Sequence, residues 1–474
     1  QEPSLLQRSR SQPAARTCTA MAAAISAASC TAEFVGTFLL VLVAGCNILA
    51  ANAAWGGVSI ACSLMTSIYA LGKASGANFN PAVSLALGLA GKMEDGWKQV
   101  GVYCGVQVLA GIIGAICYSL LYGETVNLGP TAGFGWWQAM LCETVYTFML
   151  CFVVLNTAAS RKLGGQNQFY GLAIGFVIIA GAYGAGAVSG GCFNPAVAIG
   201  IDTSSIMKGF GWCLVYTIFE CIGSALAVAA FWALRPEERD GRNVPVEYSP
   251  LSKLMAESIG TFMLVLTVGL NILSESKAAA FSIAACLACM IYAIGDISGG
   301  HFNPAVTISI LFSGRDKIQM KEAGLYMAAQ IGSGLLGALV YALIMGGVTF
   351  PIGPAHGFTW LGVSVAEVAF TFVLTFVILC VATVESAPAQ EFTGFIIGSC
   401  VTVGGLAIGT ISGGSLNPAV SFGVATARVL FGGTFYRGVI YMFLEVLGGI
   451  CAAGLFRIVY PKEFAWEKEA KDTC

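Results

Sequence analysis

Ser75-Gly-Ala-Asn-Phe-Asn80-Pro-Ala-Val83 is written four times in this chain, with small changes. It returns as Ser189-Gly-Gly-Cys-Phe-Asn194-Pro-Ala-Val197, Ser298-Gly-Gly-His-Phe-Asn303-Pro-Ala-Val306 and Ser412-Gly-Gly-Ser-Leu-Asn417-Pro-Ala-Val420. The constant core is Asn80-Pro81-Ala82, Asn194-Pro195-Ala196, Asn303-Pro304-Ala305 and Asn417-Pro418-Ala419. The step from Asn80 to Asn194 is 114 residues, and so is the step from Asn303 to Asn417. Chance does not set four tripeptides on such a lattice. The chain is a duplication of a unit that was already duplicated.

Composition states the solvent. Of 474 residues, 57% are hydrophobic and 10% charged, too few charges to cover so much apolar surface in water. Residues 31–50, 99–121, 209–234, 254–273 and 323–345 each approach or exceed the length that crosses a bilayer as a helix. An all-α polytopic membrane protein follows. The net charge of -2 and the lack of a basic patch give no reason to expect nucleic acid. The 17 cysteines are scattered without metal-ligand spacing and read as small buried apolar residues. The 60 glycines suit helices that pack closely in lipid.

A second repeat runs with the first. Glu33, Glu143, Glu257 and Glu367 each stand four residues before a threonine near the start of an apolar run. Spans are expected near 31–50, 56–72, 97–121, 136–157, 168–187 and 209–234, then 254–273, 278–295, 322–345, 360–384, 393–410 and 435–459. The chain then divides into a polar segment 1–30, a first unit 31–234, a charged linker 235–252, a second unit 253–460 and a tail 461–474. Residues 1–20 read as an untranslated leader or processed tail, with Met21 as a start. Six spans per unit place both termini and the linker on one side. Of the 23 Lys and Arg, only Lys208, Lys277, Arg428 and Arg437 fall on the other side, which makes the shared side cytoplasmic. The loop 385–392 dissents, with two acids and no base.

In each Asn-Pro-Ala segment, a Gly-containing stretch favours irregular backbone and proline fits the first turn of a helix. About ten apolar residues follow, too few to span. A short helix buried at mid-depth is expected, and irregular backbone there is tolerated where it lines a watery cavity. The asparagine caps the positive end of that helix, with its amide free to donate to a passing solute. Two inverted repeats would bring two such ends together. Water held between them must turn its oxygen toward both, which breaks a proton wire and repels cations.

On these boxes the chain resembles two aquaporin (major intrinsic protein) units fused in tandem, from about Glu33 to Tyr460. The resemblance implies six membrane helices and two re-entrant half-helices per unit, built as an inverted repeat around one pore. It also implies tetramers of units, so two chains would form a pseudo-tetramer of four pores. Water and small uncharged solutes are the implied cargo, the lipid bilayer the implied surroundings, and no cofactor is implied.

The family usually follows its second Asn-Pro-Ala box with arginine, whereas this chain has Val197 and Val420 there. Vacuolar-membrane members from plants also carry valine. Counting from the boxes, the remaining filter positions are Ile60, Ala182 and Gly191 in one pore and Ile283, Gly405 and Gly414 in the other. Such a filter is wide and apolar, so urea, ammonia, hydrogen peroxide or glycerol is expected beside water. Ala198 and Ser421 replace the aspartate of dedicated glycerol facilitators, which draws the reading back toward water.

The four glutamates are expected to be structural, bonding the irregular backbone rather than relaying protons, against the default reading of intramembrane acids. His301 and its counterpart Asn78 could set the pores apart in pH response, although a lone His there is more often a satisfied loop residue. Cys192 is placed for mercurial block or is an inert thiol. A twelve-span secondary transporter would need midplane substrate charges that the sequence lacks. A non-conducting structural paralogue is the other alternative. No nucleophile–base pair or metal cluster suggests an enzyme.

Overall fold

The computed structural model describes residues 24–464 except Glu385, Ser386 and Pro388. In the first unit the helices are α1 (Ala27–Leu49), α2 (Gly56–Ser75), α3 (Pro81–Leu89), α4 (Gly96–Tyr122), α5 (Trp136–Val154), α6 (Tyr170–Gly184), α7 (Pro195–Ser204) and α8 (Trp212–Leu234). The second unit repeats the order with α9 (Pro250–Leu273), α10 (Ala279–Ser298), α11 (Pro304–Ser313), α12 (Met320–Ile344), α13 (Trp360–Ile378), α14 (Thr393–Ser412), α15 (Pro418–Leu430) and α16 (Tyr436–Val459). Ten of these helices, three with their short extensions, are long and apolar enough to cross a membrane; α2 and the 15-residue α6 complete two sets of six. The half-helices α3, α7, α11 and α15 run only 9 to 13 residues, and each opens with its proline at the first helical position.

Two helix starts lie four residues earlier than the sequence placed them, each because a serine caps earlier. Ser26 accepts from the Ser29 amide and starts α1 at Ala27 rather than residue 31. Ser249 accepts from the Ser252 amide, with Pro250 behind it, so the second unit begins inside the expected linker. Residues 1–23, including Met21, and 465–474 lie outside the described residues, as does part of the dissenting loop 385–392.

The units share a lateral seam, where α5 and α6 face α9 and α10. The hydroxyls of Tyr146 and Thr267 meet at 3.0 Å, and Ser282 donates to the Ala180 carbonyl at 3.1 Å. The Phe169 and Tyr292 rings stack with centroids 4.4 Å apart. Gln138 donates to the Ile344 carbonyl at 2.6 Å.

One end of the bundle is tied by Arg235, whose side chain is fully buried. Its guanidinium bonds Asn156 of the first unit (2.8 Å), the Tyr248 hydroxyl of the linker and both oxygens of Asp296 of the second (2.7 and 3.1 Å). A buried cation costs several kcal/mol unless it is paired in this way, so the node is an all-or-none joint. Lys162 also pairs with Asp296 (3.3 Å) and Lys92 with Glu238 (2.6 Å). Burial pushes the Tyr248 phenol above its ordinary range, which keeps its hydrogen in place for Glu237, 3.0 Å away.

Candidate functional site

In every box the asparagine caps its own half-helix: the Oδ1 atoms of Asn80, Asn194, Asn303 and Asn417 accept from Ala82, Ala196, Ala305 and Ala419 at 2.8–3.0 Å. The same side chains also reach across the unit. Asn80 donates to the Phe193 carbonyl (2.8 Å) and Asn194 to the Phe79 carbonyl (2.9 Å). Asn303 and Asn417 exchange the equivalent bonds with Leu416 and Phe302 at 2.9 Å. The sequence reading left each amide wholly free. One of its two hydrogens is instead spent locking the half-helix ends together.

That lock needs a carbonyl turned inward just before each asparagine. Phe79, Phe193, Phe302 and Leu416 supply it by adopting φ of 52°, 50°, 48° and 55°. Each such left-handed residue costs about 1–2 kcal/mol. The intramembrane glutamates offset it. Glu33 accepts from Ser75 Oγ (2.6 Å), the Asn78 amide (3.0 Å), the Phe79 amide (2.7 Å) and Gln107 Nε2 (2.8 Å). Glu257 takes the same four from Ser298, His301, Phe302 and Gln330. Glu143 accepts from Ser189 Oγ and the Cys192 and Phe193 amides, and Glu367 from Ser412 Oγ and the Ser415 and Leu416 amides.

Two further carboxylates escaped the sequence reading. Glu220 accepts from the Asn194 amide (2.8 Å) and Glu445 from Ser421 Oγ (2.8 Å), both fully buried. They stand where the other half of each unit has Gln107 and Gln330. A comparison of the two distal repeats would have found them, because both lie in long apolar runs.

Two cavities thread these locks. The first, about 420 Å³, is lined by Asn78, Asn80 and Asn194 and by all four counted positions, Ile60, Ala182, Gly191 and Val197. The second, about 500 Å³, is lined by His301, Asn303 and Asn417 and by Ile283, Gly405, Gly414 and Val420. Pro81, Pro195, Pro304 and Pro418 are buried at the half-helix starts. Cys192 borders the first cavity. His301 Nδ1 lies 3.1 Å from Thr307 Oγ1, and its ring meets Tyr326 edge-on at 5.3 Å, a satisfied loop position. Among the described residues no group of three His, Cys, Asp or Glu is placed to hold a metal ion.

A tandem of six-helix units, each with paired capped half-helices around a cavity, is the architecture of a membrane channel. The chain belongs to the major intrinsic protein family, whose model matches residues 21–231, 172–269 and 247–435. Like the family it is an integral membrane protein and a channel rather than an enzyme. It is 34% identical to nodulin-26 of Glycine max over 218 residues, 44% of this chain and 78% of that protein. It is 36% identical to aquaporin NIP2-1 of Oryza sativa over 235 residues, 46% of this chain and 75% of the other. The X-ray structure of the aquaglyceroporin from Plasmodium falciparum aligns at 19% identity and a TM-score of 0.40, covering 45% of this chain and 99% of that one.

Proposed function

We propose that each unit is a separate passive pore for water and small neutral solutes such as urea, ammonia, hydrogen peroxide or glycerol. The supporting observation is that each unit has its own cavity passing both of its capping asparagines. The filter role of Ile60, Ala182, Gly191 and Val197, and of Ile283, Gly405, Gly414 and Val420, belongs to this proposal. So does the likeness of that filter to the vacuolar-membrane group. Walls of this kind offer width and backbone carbonyls rather than fixed side-chain donors. Placing the termini and linker in the cytoplasm follows from the charge asymmetry.

Stopped-flow permeability of proteoliposomes tests the reading. Ile60→Trp should remove about half of the water and urea flux, Ile283→Trp the other half, and the pair nearly all of it. Loss of all flux from either single change would refute independent pores. Flux that saturates, or that follows an ion gradient, would favour a transporter.

We also propose that two chains close a ring of four units. The seam buries α5 and α6 of one unit on α9 and α10 of the next, and leaves α1, α2, α13 and α14 uncovered. Repeat equivalence pairs Tyr69 with Tyr292 and Phe392 with Phe169. Tyr292 is 5% exposed, whereas Tyr69 and Phe392 are 43% and 55% exposed. Phe392 of one chain would then stack on Tyr69 of the partner as Phe169 stacks on Tyr292. Phe392→Asp should shift detergent particles from two chains to one by light scattering. Particles that keep the wild-type mass would overturn the ring.

A further inference from the structure

The walls of the two cavities differ in charge: one residue of the second carries one. α8 and α16 run in register, fixed by Tyr216 and Tyr441, whose hydroxyls donate to the Ser189 and Ser412 carbonyls, both at 2.6 Å. Four residues earlier on each helix stand Trp212 and Arg437. Each covers a loop glycine held at positive φ, Gly129 at 151° and Gly353 at 148°. A Cβ added there would lie 3.3 Å from Trp212 Nε1 in one unit and 2.8 Å from an Arg437 nitrogen in the other. The positions are equivalent, but the outcomes are not. Trp212 does not border the first cavity, which among the described residues has no Lys, Arg, Asp or Glu in its wall. Arg437 does border the second, in the same wall as Ala280, Ile352, Gly353, Gly405 and Gly414.

The guanidinium is held by neutral groups alone. It donates to the Ile352 carbonyl (3.2 Å) and the Tyr436 hydroxyl (3.4 Å), and lies 5.9 Å from the Tyr436 ring centre. Among the described residues it forms no ion pair. A half-buried charge without a counterion, at the mouth of a low-dielectric channel, projects its field into the lumen.

We infer that Arg437 is the cation barrier and a specificity-determining residue of the second pore, standing in from α16 for the charge that Val420 does not provide. The first pore has no such barrier. The second admits neutral solutes with an acceptor oxygen, such as urea, and rejects small cations at its outer end. The first discriminates against cations only at its half-helix ends. This inference rests on the two-pore reading, and the test separates the two.

Full-length protein carrying Ile60→Trp, so that only the second pore is open, is reconstituted and assayed for water, urea and methylammonium flux. R437E should raise the methylammonium-to-urea ratio by about tenfold and R437K should leave it within about twofold, because lysine keeps the positive charge that glutamate reverses. In the complementary protein carrying Ile283→Trp, W212R should lower the ratio of the first pore. Wild-type water flux with an unchanged ratio in R437E would overturn the inference. If R437E fails to fold, R437Q removes the charge and keeps a donor, and an unchanged ratio in a conducting R437Q protein would also overturn it. A protein with Ile60→Trp alone that passes no water would instead sink the two-pore reading.

Discussion

Replacing Glu33 with leucine should abolish accumulation of folded protein, with about 4 kcal/mol or more lost at this one site. Its carboxylate receives two backbone amides, a serine hydroxyl and a glutamine amide, all buried. Leucine fills the volume but accepts none of them. Each stranded buried donor costs about 1–3 kcal/mol. The loss also unlocks function. Without an acceptor for its amide, Phe79 has nothing to hold φ at 52°, and its carbonyl leaves the Asn194 amide. Glu33→Gln, which keeps one acceptor oxygen, should fold with a lowered melting temperature and reduced first-pore flux. Detergent-solubilised thermal unfolding and yield read the first effect; permeability with the second pore plugged by Ile283→Trp reads the other. A leucine variant that melts like wild type would show that the carboxylate does not carry the loop.

The second large effect is expected where half-helices cross full spans. A Cβ on Gly111 of α4 would stand 2.3 Å from the Ala196 carbonyl oxygen, and one on Gly200 of α7 would stand 2.5 Å from the Gly111 carbonyl oxygen. Both obstacles are backbone, which cannot rotate away, so the helices must part by the width of a methyl group or more. The second unit repeats the crossing with Gly334 against Ala419 and Gly423 against Gly334, at 2.6 and 2.5 Å. Gly200→Val should therefore cost about 3 kcal/mol or more by overpacking and push α7 into its own cavity. First-pore flux should fall to background while the second pore, behind its own crossing, keeps its flux. Gly423→Val should do the reverse. Equal loss from both pores would mean that the units do not fold independently at this level. Gly101, whose added Cβ would meet nothing within 4 Å, is the control position, and its alanine variant should be indistinguishable from wild type.

Much of the fold was legible because its determinants are local. A run of apolar residues, a proline at the first turn of a helix and an asparagine in front of it act within a few positions. The observed spans accordingly start and end close to where the residues place them. The two helix starts that moved furthest, at Ser26 and Ser249, turned on serine caps a few residues outside the apolar runs. Glu33, Glu143, Glu257 and Glu367 were visible because repetition marks them. Glu220 and Glu445 also repeat, but no Thr box marks them, and an acid inside an apolar helix announces no partner. Their partners, Asn194 and Ser421, lie 26 and 24 residues away.

Arg437 shows the limit most clearly. By charge asymmetry it was one of four basic residues on the outer side, no different from Arg428 or Lys208. Only the packing of α16 against the loop at Gly353 turns it toward the second cavity, while Trp212 in the same register stays outside the first. The linker behaves alike: its charges read only as a connection between units, yet Arg235 is a buried joint of both. By itself the sequence determined the membrane setting, the twofold duplication and the four capped half-helices, since spacing and helix chemistry are written along the chain. The tertiary structure decided which charges meet a lumen and which close a seam, because these depend on residues brought together from distant helices.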